Sequence, residues 1–307
     1  MKYIAPAYYR DFKCIASACR HSCCIGWEVD IDADTLRAYE SMTVPYGERI
    51  RESIDRDGEP HFRLYAGDRC PHLSECGLCN IITECGESAL CQICSDHPRY
   101  RSFYDGVTEI GLGLSCEEAT RLVLESENHF GFLVSDSEDF ATAEYRAEYP
   151  IELFCEDDRF VAKEKSRLIF LASDRKLSIG ERVSALLPNI PTAEEIKSLL
   201  LSLEILDDNW RERIVLLSAK DFDLDFVEYS SLIERTITAF IFRHINCESF
   251  YSPATVAAFA AFSAVIVSAL SKSCEDFADT LRAYSAEVEY SIDNTDAVMD
   301  FLEEKLL

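Results

Sequence analysis

Apolar residues after Glu117 recur at intervals of three and four: Leu168 and Leu171; Leu199, Leu203 and Leu206; Ile233, Ile237, Phe240 and Ile241; Phe259, Phe262 and Ile266. That spacing lines one face of a helix. Ser115-x-x-Glu118 has the form of a capping box ahead of the run EEATRLVLES. Further helix starts are predicted at Thr192, at Ser252-Pro253 and at Asn294. From Ala254 to Ser271 the chain carries no charge, long enough for a membrane span. Seven of those residues are Ala, acidic residues dominate the flanks, and no cationic cluster anchors either end, so the segment reads as a buried core helix.

Before residue 117 the pattern is different. Turn-like stretches such as Asp57-Gly58-Glu59-Pro60, Ala66-Gly67-Asp68 and Tyr104-Asp105-Gly106 break the chain into short pieces. Rough alternation predicts short strands at His61–Tyr65 and Glu109–Leu114, and one early helix is predicted from Asp34 to about Ser41. No fixed-period repeat or low-complexity tract is present. The fold expected is mainly α: an irregular cysteine-rich metal-binding module with short strands (residues 1–116) packed on a helical domain (117–307).

Composition sharpens this division. Eleven of the 14 Cys and nine of the 11 Gly lie at or before residue 116. The 30 Lys and Arg against 56 Asp and Glu give a formal charge of −26, which argues against nucleic acid or an anionic membrane as partner and favours a cationic one. The opening MKYIAPAYYRDFKC has charges at Arg10, Asp11 and Lys13 and no apolar run, unlike a secretory leader. A cytoplasmic, reducing location is therefore expected, where clustered cysteines bind metal or react rather than form cystines.

Two groups of cysteines carry the candidate chemistry. Cys14, Cys19, Cys23 and Cys24 are spaced C-x4-C-x3-C-C; Cys70, Cys76, Cys79, Cys85, Cys91 and Cys94 follow, and Cys116 closes the module. The two-residue gaps at Cys76-x-x-Cys79 and Cys91-x-x-Cys94 let both thiolates reach one ion. Thiolates suit zinc, copper(I) and iron–sulfur clusters, and so many sulfurs exceed one tetrahedral site, implying two sites or a multi-iron cluster. His21 is a further possible ligand; His72 and His97 are expected at the surface or behind the ligands. Cys155, Cys247 and Cys274 sit singly and read as small buried apolar groups. Arg99 either neutralises a negative cluster or holds a cofactor carboxylate, or is a plain surface arginine. No Gly-rich nucleotide loop, G-x-S-x-G elbow or H-E-x-x-H helix is present.

The blocks FKCIASACRHSCCIGWEVDID, GDRCPHLSECGLCNI, LCQICSDHPRY and LGLSCEEATRL resemble the flagellin lysine N-methylase family, as do RLIFLASDRKLSIGERVSALL, AFIFRHI with Arg243, and AYSAEVEYSIDN. The resemblance implies methyl transfer from S-adenosylmethionine to lysines of a protein substrate such as flagellin, in the cytoplasm, with an iron–sulfur cluster of the 4Fe–4S type in the enzyme. Cys14, Cys19, Cys23, Cys24, Cys70, Cys79, Cys91, Cys94 and Cys116 match the family's cysteines; Cys76 and Cys85 do not. Tyr290 stands where the family usually has His. A non-catalytic zinc-binding interaction module is the alternative, and a redox sensor a third reading.

Overall fold

The computed structural model describes residues 1–126, 131–222, 229–272 and 276–306. Its chain divides into two compact units: one of residues 13–99 and 116–118, the other of residues 1–12, 100–115 and 119–307. The division expected at residue 116 is therefore not a single cut. Strand β1 (Lys2–Pro6) and the hairpin after residue 99 pair within the sheet of the larger unit, so backbone hydrogen bonding assigns them there.

The smaller unit holds α1 (Ala33–Ser41), α2 (Tyr46–Ser53), the two-residue strands β2 (Ile54–Asp55) and β3 (His61–Phe62), and two short helices, α3 (Asn80–Cys85) and α4 (Gln92–Asp96). The predicted early helix is present; the predicted strand from His61 is only two residues long. Asp32 caps α1 by accepting from the Thr35 N–H (2.9 Å), and its other oxygen accepts from the Gln92 N–H (2.9 Å), joining the starts of α1 and α4. The core is small: Val29, Ile31, Tyr39, Ile50, Ile54, Phe62, Leu73 and Ile81 are buried together with Cys70 and Cys91.

In the larger unit, β4 (Arg99–Tyr104) leads through Asp105-Gly106 into β5 (Val107–Leu112). After α5 (Glu117–Glu125) come β6 (Phe132–Ser135) and β7 (Glu144–Arg146), completing a sheet of order β4-β5-β1-β6-β7 in which β1 runs parallel to β5 and antiparallel to β6. Every residue of β5 is buried, which is why it does not show clean alternation. Glu109 is buried with it and is neutralised by Lys165 of α6 (Arg159–Ser173), whose ammonium is itself fully buried and also donates to the Phe242 carbonyl (3.0 Å). The hydroxyls of Tyr104 (3.0 Å) and Tyr149 donate to the same carboxylate.

The helices that follow are α7 (Ile179–Leu186), α8 (Ala193–Ser202), α9 (Asp208–Leu216), α10 (Ser230–His244), α11 (Pro253–Ser271), α12 (Phe277–Tyr284) and α13 (Ile292–Leu306). Thr192 forms the full capping box with Glu195, and Ser252 caps α11 with Pro253 at the first helical position, as predicted. Asn294 does not begin its helix. It lies inside α13, buried, with its amide bound to the carbonyls of Glu204 (2.9 Å) and Glu287 (2.7 Å). Helix α11 is the only described helix long and apolar enough to cross a membrane, and 94% of its most apolar stretch is buried against neighbouring elements. It packs on α10, α12, α13 and α7, the arrangement expected of a helix that is apolar on all sides.

Two outcomes check this packing. Lys165→Met leaves the Glu109 charge buried and unpaired, and is expected to cost about 3–5 kcal/mol in urea unfolding followed by circular dichroism, with much of that loss recovered in a Lys165→Met/Glu109→Gln double variant. Thr192→Ala removes one cap and is expected to cost about 1 kcal/mol in the same measurement.

Candidate metal centre

All thirteen described cysteines are free thiols; Cys274 and His129 lie outside the described residues. The smaller unit draws its cysteines together by short backbone pairings. Residues 24–26 run against 68–70, with the Cys70 N–H donating to the Cys24 carbonyl (2.9 Å) and the Gly26 N–H to Asp68 (3.0 Å). Leu73 pairs with Cys79 across a tight turn whose tip, Gly77, has φ +78°, a conformation that glycine adopts without strain. Cys79 and Cys91 then stand at the cap positions of α3 and α4. Glu117 holds the 19–20 segment by accepting from the Arg20 N–H (2.8 Å) and Nε (3.0 Å).

Backbone N–H groups face several of the sulfurs. Cys14 accepts from Ala16 (3.4 Å), Cys19 from His21, Cys70 from His72, Cys79 from Ile82 and Ile81, and Cys91 from Cys94. Each donor lies two or three residues after its cysteine, and such donors favour the thiolate over the thiol. The sulfurs also share protons. The Cys23 and Cys70 thiols donate to Cys24, which holds Cys24 well below the ordinary thiol range against the effect of burial. Those donations, together with burial, push Cys23 and Cys70 up. Cys94 donates to Cys91 in the same way, lowering Cys91 and raising itself.

Electrostatic reach sorts the nine expected cysteines into two neighbourhoods that meet at Cys23-Cys24. Cys14 and Cys116 act on Cys23, and Cys116 acts on Cys19. Cys24 acts on Cys70, Cys79 and Cys94, and Cys91 on Cys79 and Cys94. The thiols are gathered but not closed: among the described residues, no three His, Cys, Asp or Glu side chains stand in the arrangement of a metal site. The donor set nevertheless fits a thiophilic metal in chemistry, because these sulfurs already accept N–H bonds or share protons as thiolates do.

Other expectations are corrected by burial. His72 is not at the surface; it is 1% exposed. Ser53 donates to the Ile50 carbonyl (2.7 Å), so its oxygen must accept from His72 Nε2 (2.9 Å), leaving Nδ1 to accept from the Tyr46 hydroxyl (3.1 Å). Burial and then the nearby Arg49 cation drive this imidazole down to about 4, so it is a neutral structural group. His97 packs on Trp27 (5.9 Å between rings) beside Cys24. Arg99 opens β4, half-buried, and acts electrostatically on His97. Cys76 is exposed at the turn tip beside Ser74 (3.2 Å), whereas Cys85 ends α3 against the core. Cys155 is half-buried and donates to Asp158 (3.4 Å). Cys247 is exposed, not buried as expected, because its thiol turns to the Phe103 carbonyl (3.0 Å).

One constellation in the larger unit has no sequence motif of its own. A π-helical stretch, Ser285–Glu289, buries the Glu289 carboxylate, which receives Arg243 (3.2 Å), His244 (2.9 Å) and the Ser285 hydroxyl. The Arg243 guanidinium lies over the rings of Tyr100 (4.9 Å) and Tyr290 (4.6 Å). A Cβ on Gly111 or Gly113 would collide with the Tyr100 or Tyr290 hydroxyl, at 2.2 Å and 1.8 Å. The signal was available in Gly111-x-Gly113 and in the Arg243-His244 pair, but neither has a motif of its own.

No family model matches the chain, and no solved structure matches it. Curated proteins do. A lysine-N-methylase of Salmonella choleraesuis is 30% identical over 127 residues, 39% of this chain and 31% of that protein. The lysine-N-methylase of Salmonella typhimurium gives the same identity and coverage. The flagellar biosynthetic protein FliU of Salmonella muenchen is 31% identical over 127 residues, which cover 75% of its length. The match thus spans about a third of the lysine-N-methylases and most of FliU, and the chain belongs to the flagellin lysine N-methylase family.

Proposed function

We propose that this chain is a protein lysine N-methyltransferase that uses S-adenosylmethionine and holds an iron–sulfur cluster on its N-terminal cysteines, acting in the cytoplasm on exposed lysines of a substrate such as flagellin. Kinship with the lysine-N-methylases supports the reaction. The observation that carries the cofactor reading is the packing of Cys24, Cys70, Cys79, Cys91 and Cys94 around one small core, with neighbours that favour the thiolate at several of them. Cys14, Cys19, Cys23, Cys24, Cys70, Cys79, Cys91, Cys94 and Cys116 would hold the group. When bound with an open iron, such a cluster supplies a Lewis-acidic point for the amino and carboxylate groups of the methyl donor.

The chain's own residues prepare the remaining conditions. Thiol donors beside them hold Cys24 and Cys91 below the ordinary thiol range, which favours the thiolate form that a metal takes. The Trp27 ring packs on His97 (5.9 Å), which feels the charge of Cys24. A substrate lysine has an ordinary pKa of about 10.4 and must lose its proton to attack a methyl group. The charge of −26 favours approach of that cation. Neighbouring acids would hold the ammonium protonated, so the lysine must leave them for a less polar setting before it reacts.

The zinc reading is favoured by one observation: Cys70 and Cys91 are built into the small hydrophobic core, as structural ligands are. Anaerobic purification with iron, sulfide and zinc quantitation separates the two. Brown protein with iron and sulfide, and transfer of label from S-adenosylmethionine to flagellin lysines, is expected; colourless protein with stoichiometric zinc and no transfer overturns the proposal. Cys91→Ala and Cys23→Ala are each expected to lose metal and unfold the smaller unit, whereas Cys76→Ala and Cys155→Ala keep full metal content. Full metal in both of the first two variants would count against the ligand assignment.

A further inference from the structure

Inside the larger unit, a cavity of about 20 Å³ lies among the end of β1, α5, β6, α6 and α10, with room for one water-sized group. Most of its wall is apolar: Pro6, Val123, Phe132, Ile169 and Phe242. Pro6 has no N–H to offer. Thr238 donates its hydroxyl proton to the Glu234 and Arg235 carbonyls of its own helix (3.0 Å each). Two donors are left among the lining side chains, the Arg235 guanidinium and the Tyr8 hydroxyl.

Neither donor has an acceptor. The Arg235 Nε is enclosed and meets none among the described residues, and no described acid pairs with its guanidinium. Other arginines with an enclosed nitrogen that lacks a hydrogen bond still place the guanidinium on a neighbour: Arg146 on Glu144, Arg182 on Glu234, Arg213 on Thr280 (2.6 Å), Arg243 on Glu289 and Arg282 on Asp279. Arg235 follows Glu234 in sequence, but that carboxylate is taken by Arg175 (3.1 Å) and Arg182. Tyr8 stands in the turn Ala7–Asp11, 5% exposed, and its hydroxyl makes no hydrogen bond among the described residues. Burial pushes this phenol up, so it stays protonated and able to donate.

Three arginines about one carboxylate make a local excess of positive charge in a chain whose formal charge is −26. Burial disfavours the charge on Arg235; Glu234 opposes that effect and Arg175 adds to it. A water molecule could accept from both donors but would not cancel the charge. A polyatomic oxyanion is too large for the space, and its further oxygens would face apolar side chains without donors. A single spherical anion has neither fault, since it accepts from several donors and brings no proton to be satisfied.

We propose that this cavity binds one halide ion, such as chloride, held by the Arg235 guanidinium and the Tyr8 hydroxyl against an apolar wall. Arg235 is part-exposed, which gives the ion a route to solvent. Because the lining comes from five elements of the larger unit, the bound ion stabilises that unit according to its occupancy. The site uses none of the cysteines and does not depend on the methyl-transfer reading.

The line width of the chloride NMR signal, followed as the full, anaerobically purified chain is titrated in, tests the site. Excess width that bromide competes away is expected for the parent. Arg235→Gln is expected to abolish it, and Tyr8→Phe, which keeps the ring, to weaken binding about tenfold. Arg37→Ala, in the smaller unit, is expected to match the parent. Crystals of the parent grown in bromide are expected to show an anomalous peak beside Arg235, a result that needs no variant and stands even where Arg235→Gln does not fold. No excess width in the parent, equal width in the parent, Arg235→Gln and Tyr8→Phe, or water alone beside Arg235 in the bromide crystals overturns the assignment.

Discussion

Backbone pairing of residues 24–26 with 68–70, where the Cys70 N–H donates to the Cys24 carbonyl (2.9 Å), ties the opening cysteine loop to the turn at residues 65–70 and brings the Cys24 and Cys70 sulfurs together. A unit of this size has little apolar surface to bury, and its core includes Cys70 and Cys91 themselves. Its packing and its chemistry are therefore the same set of atoms. The cap at Asp32, the turn through Gly77 and the clamp of Glu117 on Arg20 all serve to bring distant stretches of chain within reach of these sulfurs.

The larger unit handles charge in the opposite manner. Glu109, Glu234 and Glu289 are all buried, and each is matched by an inward-facing base: Lys165, Arg182 and Arg243. Such pairs cost desolvation and give little net stability, but each fixes the register of the elements it joins, since a misplaced partner would leave a bare charge inside. Each pair takes one charge of either sign inside, so these three pairs leave the net charge of the solvent-facing residues unaltered.

What the sequence disclosed follows from how local each signal is. Capping at Thr192 and at Ser252-Pro253 is decided within four residues, and both helices begin there. The uncharged stretch ending at Ser271 declared its own burial. Asn294 has the same capping chemistry, yet its amide goes to the carbonyls of Glu287, seven residues back, and of Glu204, 90 residues away. For His72 the choice between the surface and a place behind the ligands stayed open, because nothing nearby in sequence announces Tyr46 and Ser53 as its partners. The cysteines were legible as a set because their spacing is local, whereas the division around Cys23-Cys24 depends on Cys116, which the fold delivers from far along the chain.

Helix α11 has a bearing on how the chain comes to be folded at all. Left alone, its nineteen residues would expose to water an apolar stretch as long as a bilayer is thick. Two of its packing partners, α7 and α10, leave the ribosome before it, and α12 and α13 follow soon after. Synthesis order thus offers a ready-made trough to a segment that must not wander, and the interval between residue 253 and the closing of α13 is the moment of greatest danger for the nascent protein.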